Sequence, residues 1–157
     1  SYTTVTNFSF SELTAKFGAD VSAANSASAT PLSGVDLSIK RDAEVVFETG
    51  STTPTKIAYK TLETSGNYSL LFESTTDRDK YLANTANAMI LTFTSGASVI
   101  TITLPKVMLS NWTPSNSLDE IVTQTADFSA HYDNTATYSI SATVTNTTAS
   151  YTNLTAQ

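Results

Sequence analysis

Apolar and polar residues alternate with period two over most of this chain, the pattern of strands with one face on a core and one in water. The clearest stretch is VDLSIKRDAEVVFE (35–48), with Val35, Leu37, Ile39, Ala43, Val45 and Phe47 on one face and Asp36, Ser38, Lys40, Asp42, Glu44 and Glu48 on the other. GSTTPT (50–55) is a turn signal, and KIAYKTLETSG (56–66) reads as the return strand, so 35–66 is expected to be a long hairpin. NYSLLFE (67–73) follows, with Tyr68, Leu70 and Phe72 inward. MILTFTSGASVITITLP (89–105) reads as a hairpin turning at Ser95–Gly96–Ala97, extended past Pro105 by VMLSNW (107–112). A proline there suits an edge or a bulge. IVTQTADFSAHYD (121–133) places Val122, Ala126, Phe128, Ala130 and Tyr132 on one face, and ATYSISATV (136–144) aligns Tyr138, Ile140, Ala142 and Val144.

YTTVTNFSF (2–10) is expected to be the first strand, and Ser11–Phe17 a short helical turn. Residues 18–34, rich in Ala, Ser, Asn and Gly, read as a long loop or arm, and 149–157 as a polar tail. One helix is expected at about 75–87, capped by Ser74, with Tyr81, Leu82 and Ala88 toward the sheet and Asp77, Arg78, Asp79 and Lys80 as solvated charges. The sum is about eight strands and one helix: a mainly β fold, a two-sheet sandwich or flattened barrel with one flanking α-helix, in a single domain spanning 1–157.

Composition narrows the function. Ser and Thr make up about a third of the chain, well above ordinary usage, while charged residues are only 14%. Thr fits the pleat, and both residues give a soluble surface without charge. The net charge is −6, and Asp or Glu flanks the basic clusters Lys40–Arg41 and Arg78/Lys80, so a surface that grips nucleic acid is not expected. There is no Cys to staple the fold or supply a thiolate. No apolar run is long enough to span a bilayer as a helix.

Catalytic sets are missing. His131, the one histidine, lies beside Asp133 without a nucleophile elbow. The acidic positions 36–48 are strung along one strand, and neither calcium-loop spacing nor a glycine-rich phosphate loop occurs. No cofactor and no metal is expected. Trp112 could stack on a ligand, although a lone Trp at a strand end more often serves a core or an interface. Sequons at Asn7, Asn67, Asn111, Asn146 and Asn153 are weak signals in a chain so rich in Ser and Thr.

Several segments, in this order, resemble the major tail tube proteins of long-tailed, siphovirus-like bacteriophages: LSIKRDAEVVFETGS (37–51), SGNYSLLFE (65–73), DKYLAN (79–84), ITITLPKV (100–107), IVTQTADFSAHYD (121–133) and ATVTNT (142–147). The resemblance covers roughly 35–151 and is one of pattern and order. It implies a virion tail subunit, assembled in the host cytoplasm, that forms stacked hexameric rings whose inner strands join a ring-wide β-barrel. It implies partners at the tube ends, DNA as non-specific cargo in the lumen, and no membrane. On that reading Asp36, Asp42, Glu44 and Glu48 are lumen candidates, and Pro31 and Leu32 are candidates for an arm onto a neighbour. Thr52, Thr53 and Pro54, at the hairpin tip, are candidates for contact with the next ring. The competing reading is a secreted or surface β-sandwich that binds through an aromatic platform at Trp112, Tyr132 or Tyr151. An enzyme ranks last.

Overall fold

Period-two patterning does become strands. The computed structural model describes residues 8–47, 49–50, 52–54, 56–115 and 121–146. Among these the elements are a 3₁₀ turn Phe10–Glu12, β1 (Leu13–Gly18), α1 (Val21–Ser26), β2 (Gly34–Val46), β3 (Lys56–Leu71), α2 (Thr76–Leu82), β4 (Asn87–Ser95), β5 (Ser98–Ser115), β6 (Thr123–Ala130) and β7 (Ser141–Thr145). Hydrogen-bonded neighbours run β1-β4-β5-β6-β3-β2, with β7 on β5, and every described pairing is antiparallel. The fold is mainly β, as the alternation predicts.

The chain divides into two compact units. The first takes the N-terminal residues to Pro31, Asn87–Lys106 and the residues from Tyr132. Here β1 pairs with β4 from Leu13↔Phe93 to Gly18↔Ala88. Where a helical turn was expected at 11–17, the 3₁₀ turn hands straight over to β1, because strand pairing with β4 outweighs a weak local helical preference. The expected loop at 18–34 holds helix α1. Asp20 caps it, its Oδ1 accepting from Ala23 N at 2.8 Å. Its one buried residue, Ala24, meets Ala88 and Ile90, with Val21 beside them. A Cβ on Gly18 would collide with the Ala24 backbone, so Gly18 is what lets the helix lie this close to the sheet.

The second unit comprises Leu32–Ala86 and Val107–His131. Here β2, β3, β6 and the later part of β5 pair in that order. The expected strands 56–66 and 67–73 are one continuous strand, β3. Strand β5 is paired by β7 over Val99–Thr103 and by β6 over Val107–Ser115. Pro105, which has no N–H to donate, falls between these two stretches.

Other boundaries also differ. The last strand is shorter than expected, since Asp133–Tyr138 closes a turn, with Ala136 N donating to Asp133 Oδ2 at 3.0 Å. Helix α2 is capped at Thr75, not Ser74, and ends at Leu82. The expected first strand, apart from Phe8–Phe10, and the tail 149–157 lie outside the described residues.

Candidate functional site

Strand β6 alternates without a break. Gln124, Ala126 and Phe128 are buried, while Thr123, Thr125, Asp127 and Ser129 are half-buried. The pairings carry that alternation across four strands. On the core face, Leu37–Gly66–Phe128–Leu109 form one cross-strand row and Val35–Tyr68–Ala126–Trp112 another. On the opposite face the rows are Asp36–Asn67–Asp127–Asn111, Ser38–Ser65–Ser129–Met108 and Gly34–Ser69–Thr125–Thr113. Apart from Met108 and Gly34, these rows of the second face are built of hydroxyls, amides and two carboxylates. Its groups bond one another: Asn111 Nδ2 donates to Asp127 Oδ2 at 3.1 Å, and the Ser69 and Thr125 hydroxyls are 2.9 Å apart. Apart from Asp36, its members were not lumen candidates from sequence, Asn67 and Asn111 having been noted only as sequons. The signal was there in the alternation of TADFSA, but alternation does not say which strands lie side by side.

The acidic residues expected to share one strand face keep to one face of β2 as far as Glu44. A bulge between Arg41 and Ala43 shifts the register of β2 against β3. Before it, Asp36 lies opposite Asn67 and Lys40 opposite Glu63, on the polar face. After it, Glu44 lies opposite Ala58; because two residues of β3, Lys60 and Thr61, stand opposite the single Asp42, the alternation breaks on β3 and not on β2, and Glu44 keeps the β2 face of Asp36 and Lys40. Asp42 has its carboxylate 3.5 Å from Lys40 Nζ. Glu48 lies outside the described residues.

The bulge also marks the base of a projecting hairpin. Pairing of β3 with β6 stops at Thr64↔Ala130, whereas β2–β3 pairing continues to Val46↔Lys56. The eight residues Lys56–Glu63 therefore extend past β6 by roughly 25 Å. Both faces of this arm meet solvent, contrary to the expectation of a core beneath Ala43, Val45 and Phe47. Phe47, Ile57 and Tyr59 are each at least 60% exposed. Arg41 lies over the Tyr59 ring at 4.8 Å, and Lys60 pairs with Glu44 at 3.4 Å. Residues 39–63 hold four of the eight basic and four of the fourteen acidic residues, so the hairpin is charge-balanced and the net charge of −6 belongs to the rest of the chain. Thr52, Thr53 and Pro54 lie exposed between β2 and β3.

The other candidates are placed as follows. Pro31 is exposed and Leu32 half-buried. Trp112 is half-buried, donates from Nε1 to Gln124 Oε1 at 2.9 Å, and lies 6.2 Å from the Phe72 ring. His131 is exposed and bonds Ser129 through Nε2 at 3.0 Å. Tyr132 is exposed, and Tyr151 lies outside the described residues. Among the described residues no group of three His, Cys, Asp or Glu comes together as a metal site.

Asp77 is not the solvated charge its neighbourhood in sequence implies. Its side chain is only 15% exposed. It bonds to Tyr68, which is 3% exposed, and stands 3.9 Å from Lys80 Nζ. Burial pushes the Asp77 carboxyl above the usual carboxylate range, against the pull of Lys80 and the Tyr68 bond. Burial, and then the charge of Asp77, push the Tyr68 phenol up as well.

Comparison with known proteins gives the family. No curated protein sequence matches the chain. Solved structures share its fold at low identity, three of them as follows. One is the tube-terminating cap of the anti-feeding prophage (10% identity, TM-score 0.65, covering 93% of this chain and 96% of that one). Another is the tail of an empty gene transfer agent particle with C6 symmetry (11%, 0.57, 87% and 99%). The third is the SPP1 tail tube (9%, 0.57, 78% and 75%). The family model described as phage tail tube protein matches residues 1–130, and the chain belongs to that family: it is a non-enzymatic structural subunit of a phage tail tube, a component of the virion tail.

Proposed function

We propose that the subunit assembles with copies of itself into stacked rings of six, bounded at the tube ends by other tail proteins, and that the polar face of β2-β3-β6-β5 lines a channel through which DNA leaves the particle. The observation that carries this reading is the polar face itself. It is a four-stranded surface mainly of Ser, Thr and Asn, with Asp36 and Asp127 in one row and Met108 in another. DNA is gripped through phosphates by Lys and Arg, and counterion release makes each such contact sticky. A face of hydroxyls, amides and carboxylates offers no such grip and repels the backbone mildly. Lys40, at the edge of the face, has Glu63 as its cross-strand partner.

The hairpin is the natural contact between rings. It extends beyond the strand that supports it and exposes Phe47, Ile57 and Tyr59, which gain by burial against another copy. Its balanced charge lets it approach a neighbour of net charge −6 without strong repulsion. Thr52, Thr53 and Pro54 would then meet the next ring, and exposed Pro31 with Leu32 would meet a neighbour within the ring. The sixfold symmetry of the gene transfer agent tail supports the ring number.

The test is electron microscopy of the purified chain over a concentration series, followed by helical reconstruction. Tubes of six-subunit rings with Asp36, Asn67 and Asp127 facing the channel are expected. Tubes with that face outward, or another ring number, would overturn the arrangement. A monomer that persists even when tail-end proteins are supplied would overturn self-assembly.

A further inference from the structure

We propose that helix α2 is a releasable clip, closed by the contact between Asp77 and Tyr68, that opens as a unit while the sheet stays paired. The proposal does not depend on the ring arrangement. Helix α2 has seven residues, too few to be stable alone in water, and none of them is buried. Its one large aliphatic side chain, Leu82, is 71% exposed. The Thr75 side chain caps no helix N–H and instead donates to Asp79 Oδ2 at 3.0 Å. Tyr81 is only half-buried, so no fully buried apolar side chain anchors this helix.

Its C-terminus, in contrast, is closed locally. Asn84 adopts φ 50, with Asn84 N donating to Tyr81 O at 3.1 Å and Thr85 N to Lys80 O at 3.0 Å. These are the two bonds of a Schellman motif. The turn therefore carries its own bonds when it moves, and the helix is a coherent piece.

The tie to the sheet is polar. Tyr68, within the core face of β3, bonds the largely buried carboxylate of Asp77. Of the charged and titratable groups, Tyr68 faces Asp77 from β3 and Lys80 from its own helix. A carboxylate so enclosed gains one hydroxyl bond and a loose ion pair in exchange for its hydration. Opening rehydrates it without unpairing any strand, so the subunit gains a second conformation at little cost to its core. The sign of the pH effect follows. The Asp77 carboxyl is raised in the closed state, so closure favours the protonated form. The clip is tightest in acid and loosens as pH rises through the closed-state value.

The test is amide hydrogen exchange by NMR on the full chain between about pH 4.5 and 7.5, corrected for intrinsic rates. The reporters are the bonded amides of Asp79, Ala83, Asn84 and Thr85, set against sheet amides of β3 and β6. In the wild type the α2 amides should open at least about tenfold more often than the sheet and become better protected toward acid. Asp77→Asn, which keeps an acceptor and loses the charge, should raise their protection at neutral pH and flatten its pH dependence. Tyr68→Phe should raise α2 opening about tenfold, and if that variant fails to fold, Asp77→Asn decides. Exchange of α2 in step with the sheet, or the same pH profile in wild type and Asp77→Asn, would overturn the proposal.

Discussion

The ring of Phe128 lies over Gly66, its cross-strand partner, and only the missing side chain of Gly66 makes room for it. A Cβ at Gly66 would stand 2.9 Å from Phe128 Cζ and collide with the backbone carbonyl of Asp36 on the other side. A carbonyl held in a strand pairing cannot step aside. Gly66→Ala should therefore destabilise the fold by about 2–3 kcal/mol. Urea unfolding followed by the emission of Trp112, the chain's one tryptophan, measures this directly. A loss under about 0.5 kcal/mol would mean that β2 yields.

Thr64 is 3% exposed, and its Oγ1 has no hydrogen-bond partner among the described residues. Replacing an unsatisfied buried hydroxyl by a methyl of similar shape removes a desolvation penalty. Thr64→Val should raise stability by about 1 kcal/mol in the same unfolding measurement. A loss of stability would show that the hydroxyl is bonded, for example to a buried water.

Trp112 and Gln124 make a reciprocal case. Gln124 is 2% exposed and accepts from the indole at 2.9 Å. Gln124→Leu leaves the indole N–H without its acceptor, and a cost of about 1–2 kcal/mol is expected. Calorimetry should show the melting temperature falling accordingly, and an unchanged value would mean that water replaces the amide.

Charge reversal in the four-stranded face and on the hairpin separates lining from arm. Particles carrying Asp127→Lys should release DNA several-fold more slowly, and the defect should shrink as salt rises, because one new phosphate contact per subunit is repeated along the tube. Glu44→Lys, on the projecting hairpin beyond the reach of β6, should leave release unchanged and instead weaken tube formation, since it breaks the pair with Lys60. Timed release from purified particles checks the first, and sedimentation the second. The reverse pattern would exchange the two surfaces.

Much of this was legible in the chain. The turn at Ser95–Ala97 was, because Gly96 supplies the positive φ, here 59, that a tight hairpin turn needs. The inward set of β6 was, because Ala126 and Phe128 stand two apart. Helix α1 escaped notice: a six-residue helix with a single buried Ala24 shows no helical period, although Asp20 stood at the cap position. Strand β1 was misread because LTAKFG becomes a strand through β4, distant in sequence.

The sequence by itself determined that the protein is mainly β, has no disulfide to rely on, presents a polar, weakly charged surface and follows the segment order of tail tube proteins. These properties are local, since alternation, turn residues and composition need no partner to be read. Only the tertiary structure decided which side chains share a surface. The bulge opposite Asp42 belongs to the pairing of β2 with β3, and it sets both Lys60 and Thr61 against one β2 residue, which changes the set of β3 side chains that share a face with Asp36 and Glu44. Pairing likewise brought Asp127 and Asn111 beside Asn67 and left the hairpin beyond Glu63 without a third strand. And Asp77, one of four adjacent charges in sequence, is set apart because the chain folds its carboxylate onto a buried tyrosine, a contact between residues nine positions apart that no local period encodes.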